Sequence, residues 1–219
     1  MIKKYAIIVA GGSGSRMKSD LPKQFLQINN KPILMHTMEK FAIDNIEIIL
    51  VLNVDFHEYW LKLCREYDFS IPHLLVNGGN NRFESVKNGL SKITSKSIIA
   101  IHDAVRPLIS SDKIRFAFEK AEELGNAVLS VVSRDSVRRI QGDTSSIINR
   151  DEIHLIQTPQ IFQSELLHKA YKERFRNEFT DDASVVERIG VKINLIEGEY
   201  TNIKITYPED LKIATTLLL

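Results

Sequence analysis

The chain has 219 residues, and 29 Lys plus Arg against 28 Asp plus Glu leave a formal net charge of +1. That balance excludes a duplex-DNA binder relying on a basic excess, and 43% hydrophobic with 26% charged residues excludes bulk disorder. The single cysteine, Cys64, excludes an intrachain disulfide and a cysteine-rich metal site, and no run approaches 18 apolar residues. Lys3 and Lys4 ahead of Tyr5–Ala10 mimic a signal peptide, but the apolar run is too short and Gly11-Gly12 follow at once. Tyr5–Ala10 is therefore predicted as a first buried strand, in a cytoplasmic protein without a membrane partner. Pro32 opens a helix with Leu34, Met38, Phe41 and Ala42 on one face, and a strand follows at Ile46–Leu52. Asp55 is expected to cap the next helix, whose stripe is Phe56, Tyr59, Trp60, Leu63, Cys64 and Tyr67. A strand at His73–Val76 precedes the stripe Phe83, Val86, Leu90 and Ile93, and a strand at Ser97–His102 precedes Ile114, Phe118 and Ala121. Gly125 closes that helix, and Ala127–Val132 is the fifth strand. Near-continuous apolar strands alternating with helices predict a mostly parallel sheet covered on both faces, one domain over 1–219.

Two segments stand outside this alternation. In the stretch 134–150, Asp135–Ile140 and Ile147–Arg150 alternate weakly about a turn at Gln141-Gly142-Asp143-Thr144. Such a hairpin has too few apolar residues for a core of its own and reads as an arm lying on a second subunit. Thr206 and Glu209 have capping-box spacing ahead of Leu211, Ala214 and Leu218.

The chemistry concentrates in the first turn after a strand, Ala10-Gly11-Gly12-Ser13-Gly14-Ser15-Arg16-Met17. Glycines there let backbone N–H groups approach an anion that a side chain would keep out. Met17 occupies the third glycine position of a dinucleotide fingerprint, and the Gly-Lys-Ser/Thr of a P-loop is missing. The glycines alone would also suit a plain tight turn. Arg16, and Lys23 within Leu21-Pro22-Lys23-Gln24, turn the balance towards a polyphosphate whose pyrophosphate departs. No histidine spacing suggests a metal site, and His102, closing a buried strand, reads as a satisfied core group rather than a base.

Further segments accompany the loop: Gly78-Gly79-Asn80-Asn81-Arg82 with Ser85, His102-Asp103-Ala104-Val105-Arg106-Pro107, Gln157-Thr158-Pro159-Gln160, Thr180-Asp181-Asp182-Ala183-Ser184, and Asn202-Ile203-Lys204-Ile205-Thr206. In this order they resemble the 2-C-methyl-D-erythritol 4-phosphate cytidylyltransferases of the non-mevalonate isoprenoid pathway. The resemblance implies a three-layer, Rossmann-like nucleotidyltransferase α/β fold and transfer of CMP from CTP to a polyol phosphate. It implies nucleotide contacts from Ala10, Gly11, Gly12, Gly14, Gly79, Asn80, Ser85 and Ala104. Arg16, Lys23 and Lys204 become the catalytic cations. Asp103, Arg106, Ser136, Arg150, Thr158 and Thr180 become acceptor contacts, with Arg150 donated by the neighbouring subunit of a homodimer. Mg²⁺ is implied as cofactor, held mainly by CTP phosphates with Asp103 as a protein ligand; no nucleic-acid partner is implied. Asn80 stands where several relatives have an acid, and Ser136 where many have threonine. The rivals are a ribitol-5-phosphate cytidylyltransferase, a sugar-1-phosphate uridylyl- or guanylyltransferase, and a catalytically inactive nucleotide-binding module. Thr180–Ser184 and Tyr207–Asp210 look more like the erythritol enzymes, and retention of three cations speaks against an inactive module.

Overall fold

A computed structural model describes residues 2–11 and 21–218. Gly12, Gly14 and Arg16 lie outside the described residues. In chain order the elements are β1 (Lys3–Ala10), β2 (Gln27–Ile28), β3 (Lys31–Pro32), α1 (Ile33–Phe41), β4 (Glu47–Leu52), α2 (His57–Glu66), β5 (His73–Asn77) and α3 (Arg82–Leu90). Then follow β6 (Ser97–Asp103), α4 (Ser111–Leu124), β7 (Asn126–Val132), β8 (Val137–Gln141) and β9 (Thr144–Ile148). The last are β10 (His154–Gln163), α5 (Ser164–Ala170), α6 (Asp182–Glu187), β11 (Leu195–Glu197) and α7 (Pro208–Leu217).

β1 shows how the layers arise. Ala6, Ile8 and Ala10 face one side, where they join Leu34, Met38, Trp60 and Phe118 of α1, α2 and α4. Tyr5 and Ile7 face the other, against Phe83, Val86, Leu167 and Val185 of α3, α5 and α6. A strand apolar on both sides must be covered on both, and the helices do so. The sheet has seven strands in the order β11-β7-β10-β6-β1-β4-β5. β1 pairs in parallel with both β4 and β6, β4 with β5, and β7 with β11; β10 runs antiparallel to β6 and β7. A smaller cluster of Ile28, Ile33, Val105, Ile205 and Ala214 packs beneath α7. It fastens the segment that carries Lys204, and the Ile205 N–H donates to the Val105 carbonyl at 2.9 Å.

All five predicted strands form, with ends within two residues of expectation. Gly125 closes α4 at φ +87°, a backbone conformation costly for residues with a Cβ. Two caps differ from expectation. Asn53, not Asp55, is the cap: its side chain accepts the Asp55 N–H within a short 3₁₀ turn, Val54–Phe56, that runs into α2. At α7 the Asp210 carboxylate accepts from the Thr206 and Tyr207 N–H groups, so Glu209 is not the partner. β10 and β11 were not predicted. β10 contains Pro159, which ordinarily argues against a central strand. The structure accommodates it with a register shift between Ile156 and Gln160, so that Gln157-Thr158-Pro159 leaves the ladder.

The 134–150 segment forms a hairpin, β8–β9, as a separate two-stranded sheet whose terminal pair Gln141↔Thr144 encloses Gly142 and Asp143. Ile140 and Ile147 lie on the same face of it, 69% and 78% exposed.

Candidate active site

The chain passes from β1 outward to β4 and β5, then returns to place β6 on the other side of β1. Such a reversal opens a crevice beyond the carboxyl ends of the two neighbouring strands. Here it is a cavity of about 950 Å³, lined among others by Ala10 and Gly11 after β1 and by Asp103 and Ala104 at the end of β6. Lys23, Gly79, Asn80, Ser85 and Lys204, all expected site residues, line the same cavity.

One wall is the loop leading into α3. Asn81 caps that helix, accepting from the Glu84 N–H at 2.8 Å. The Ser85 hydroxyl accepts from the Gly79 N–H at 3.0 Å and donates to the Asn81 carbonyl at 2.9 Å. The Asn80 N–H donates to the Glu84 carboxylate at 2.9 Å. The Gly79 and Asn80 N–H groups are thus taken up internally, so the backbone offers the cleft its carbonyls, beside an Asn80 side-chain amide that can accept or donate. Glu84 also places a carboxylate beside Asn80, the position at which the resemblance leads us to expect an acid. Gly79 is required by packing, since a Cβ would lie 2.9 Å from the Glu84 carbonyl carbon and 3.1 Å from the Ser85 nitrogen.

The facing wall is cationic. Gln24 donates to the Ala10 carbonyl at 2.8 Å, which fixes the Lys23 turn against the end of β1. The Lys23 ammonium donates to the Ile205 carbonyl at 3.1 Å, next to Lys204. Lys204 pairs with Oδ2 of Asp103 at 2.9 Å, and Arg106 reaches the same oxygen at 3.5 Å. Arg82 approaches Oδ1 at 3.5 Å. Burial pushes the Asp103 carboxyl up, but Arg82, Lys204 and Arg106 together outweigh it and hold the group well below the usual carboxylate range. Asp103 is therefore a permanent anion at the centre of a positively charged cluster.

Thr158 and Arg106, expected as acceptor contacts, support this centre. The Asp103 N–H donates to the Thr158 hydroxyl at 3.1 Å, and the Arg106 guanidinium donates to the Asn202 carbonyl at 2.7 Å. The Thr158 hydroxyl lies 3.1 Å from Nδ1 of His102, whose Nε2 lies 3.1 Å from the Arg106 carbonyl. A carbonyl only accepts, so Nε2 carries the proton and Nδ1 receives the Thr158 hydrogen. His102 is a satisfied interior group, as the sequence suggested. Burial pushes its pKa from 6.5 down to about 4. Between those values the unfolded chain binds a proton that the folded one refuses, so stability is full above pH 6.5 and falls as the pH drops towards 4. Urea unfolding should lose about 2 kcal/mol from this group between pH 7 and pH 5. His102→Asn should flatten that slope; an unchanged slope would mean that the imidazole titrates normally.

Ser136, Arg150 and Thr180 are exposed and do not line the cavity. Arg150 donates to the Arg134 carbonyl at 3.1 Å, at the base of the hairpin. Thr180 directly precedes Asp181, the cap of α6, and Asp182 in α6 binds Arg82 through both carboxylate oxygens, at 2.8 and 2.7 Å. Sequence reasoning gave no role to Arg82, Glu84 or Asp182. Arg82 follows directly on Gly78–Asn81, but its partner Asp182 lies 100 positions away. Among the described residues no group of three or more His, Cys, Asp or Glu could hold a metal ion.

A model of the family described as IspD, 2-C-methyl-D-erythritol 4-phosphate cytidylyltransferase, matches residues 4–219. The enzyme of that name from Bacteroides thetaiotaomicron is 48% identical over 220 residues, 99% of this chain and 100% of its own. The one from Porphyromonas gingivalis is 46% identical over 217 residues, covering 99% and 98%. The structure of 4-diphosphocytidyl-2C-methyl-D-erythritol synthase from Anaerococcus prevotii superposes with a TM-score of 0.85 at 28% identity, covering 99% of this chain and 96% of that one. The Thermus thermophilus cytidylyltransferase gives 0.81 at 27%, covering 99% and 98%.

Proposed function

The chain belongs to the 2-C-methyl-D-erythritol 4-phosphate cytidylyltransferase family, and from that premise we propose that the crevice between β1 and β6 is its active site. It is a cytidylyltransferase: it transfers CMP from CTP to 2-C-methyl-D-erythritol 4-phosphate, giving 4-diphosphocytidyl-2-C-methyl-D-erythritol and pyrophosphate for isoprenoid synthesis. The observation that carries the assignment of the site is the meeting of the Gly79–Ser85 loop with Lys23, Lys204 and Asp103 across one cavity.

The acceptor phosphate has a second pKa of about 6 and is already an anion at pH 7, so no general base is needed. An oxygen of that phosphate bonds to the α-phosphorus of CTP while the bond to the bridging oxygen breaks and pyrophosphate leaves with the electron pair. The barrier is repulsion between anions, and the remedy is fixed positive charge. Lys204 and Lys23 supply it in our reading, with Arg16 from the glycine loop. Asp103 has Arg82 and Arg106 besides Lys204, so Lys204 can turn to a phosphate without leaving the carboxylate unpaired. A magnesium ion would be held mainly by the triphosphate, with Asp103, one of two carboxylates among the described residues lining the cavity, as its protein contact; such an ion would neutralise phosphate charge. We place the nucleotide at Ala10, Gly11, Gly79, Asn80, Ser85 and Ala104, and the acceptor beside Asp103, which Arg106 and Thr158 hold in place. Pyrophosphate release with CTP and a panel of polyol phosphates tests this assignment. Turnover should be fastest with the erythritol phosphate; faster turnover with ribitol 5-phosphate would overturn the acceptor.

We read 1–219 as one nucleotidyltransferase domain working as a homodimer through the 134–150 arm. The exposed Ile140 and Ile147 on one hairpin face support that reading. Ser136 and Arg150 would then complete the acceptor site of the partner subunit, for which an arginine fork suits a phosphate. Arg150→Ala should raise the acceptor KM and leave the CTP KM within about twofold. In dimers mixed from Arg150→Ala and Lys23→Ala subunits, one site carries both defects and the other neither. Partial recovery of activity is expected, and none in demonstrably mixed dimers would assign Arg150 to its own chain. We place the reaction in the cytoplasm, with no nucleic-acid partner. Among the described residues no helix is long and apolar enough to cross a membrane.

A further inference from the structure

Arg82 is the cleft cation to which the reaction scheme gives no task of its own. It is the first residue of α3, follows the Asn81 cap and lines the cavity. Both terminal nitrogens of its guanidinium are held by Asp182, Nη1 to Oδ1 at 2.8 Å and Nη2 to Oδ2 at 2.7 Å. Asp182 is fully buried, and its Oδ1 also accepts the hydroxyl of buried Tyr171 at 2.6 Å. The guanidinium is therefore clamped from the interior, leaving its Nε edge 3.5 Å from Oδ1 of Asp103. The other oxygen of Asp103 holds Lys204 at 2.9 Å. Tyr171, Asp182, Arg82, Asp103 and Lys204 thus form one chain of charge-assisted contacts, running from the core to the phosphate side of the cleft.

We propose that Arg82 is a positioning residue of the transfer reaction, orienting the Asp103 carboxylate and, through it, Lys204. The proposal rests on the role given above to Lys204. A carboxylate can rotate about its Cβ–Cγ bond, and a clamped cation at one oxygen limits that freedom, turning the other towards Lys204, with Arg106 3.5 Å from the same atom. Lysine at position 82 would keep the charge but not the planar fork that serves two carboxylates at once. A role confined to the fold would show itself differently. Arg82 begins the helix that carries Ser85, so damage there weakens CTP binding, whereas misplacing Lys204 slows the chemical step.

The test is a double-mutant cycle on the full chain with Arg82→Lys and Lys204→Ala, read by steady-state kinetics with a thermal melt of each variant. Arg82→Lys should lower kcat at least about tenfold with the CTP KM within about threefold. On the Lys204→Ala background the same change should cost less than about threefold. Losses that multiply in full overturn the proposal and leave the role of Lys204 intact. A Lys204→Ala enzyme of near wild-type kcat overturns that role, and the proposal with it. A raised CTP KM with kcat retained assigns Arg82 to the fold of α3 and overturns the proposal too. Should Arg82→Lys not fold, Asp182→Asn keeps Arg82 and the side-chain shape, and runs the same cycle with the same expectations.

Discussion

Lys204→Ala should lower kcat a hundredfold or more, with the KM for CTP within about threefold of wild type. Its ammonium sits at the mouth of the cation cluster, 40% exposed, and its visible partner is the Asp103 carboxylate at 2.9 Å. The lysine end of this pair is solvated although Asp103 is only 10% exposed, so the melting temperature should fall by no more than a few degrees. Asp103 keeps Arg82 and Arg106 after the substitution, which further limits the structural damage. What disappears is a donor aimed at charge that develops as the pyrophosphate leaves. Removing one such donor typically costs about 3 kcal/mol of transition-state stabilisation. Lys23→Ala should behave alike, since its ammonium lies against Ile205, one residue from Lys204. Steady-state kinetics with a melt of each variant decides the matter. Activity within a fewfold of wild type would reduce Lys204 to a counter-ion of Asp103.

The framework was legible because β1, β4, β6 and β7 are apolar on both faces and each is bounded by a helix with its own stripe. β10 was not, because its pairing depends on a register shift that lets Pro159 leave the ladder, a tertiary solution to a local conflict. The residues at the strand ends announced themselves: glycines after β1, and an acid with an arginine after β6. The order of the charges around Asp103 did not. Arg82 and Lys204 come from segments far apart in the chain, and no periodicity encodes which carboxylate they share. Asp182 looked like one acid among several near Thr180, yet it is fully buried and clamps Arg82. Likewise, Asn80 read as a lost charge, whereas the helical turn that begins at Asn81 brings Glu84 back to its N–H. Ser136 and Arg150 flank the hairpin and do not line the cavity of their own chain, so the role proposed for them rests on the proposed second subunit.

UTP should be used at least a hundredfold less efficiently than CTP, measured as kcat/KM from pyrophosphate release. The two bases differ at one edge: cytosine shows an amine beside an unprotonated ring nitrogen, and uracil a carbonyl beside an N–H. The Gly79 and Asn80 N–H groups are already held by Ser85 and Glu84, so the loop has few donors left to meet a carbonyl. Its carbonyls, the Asn80 amide oxygen and the Glu84 carboxylate are acceptors that suit an amine. UTP would set oxygen against oxygen in a partly enclosed cleft, and a polar group left unpaired there costs about 1–3 kcal/mol, more beside a charge. Sites built on such bonds reject an analogue by orders of magnitude. Asn80→Asp gives a second arm to the measurement. Because Glu84 already supplies a carboxylate at this point, the added charge should change kcat/KM for CTP by less than about threefold. Comparable efficiency with CTP and UTP would remove cytosine from this loop. A large gain from Asn80→Asp would show instead that Glu84 serves only to cap α3, and that the departure at position 80 weakens recognition.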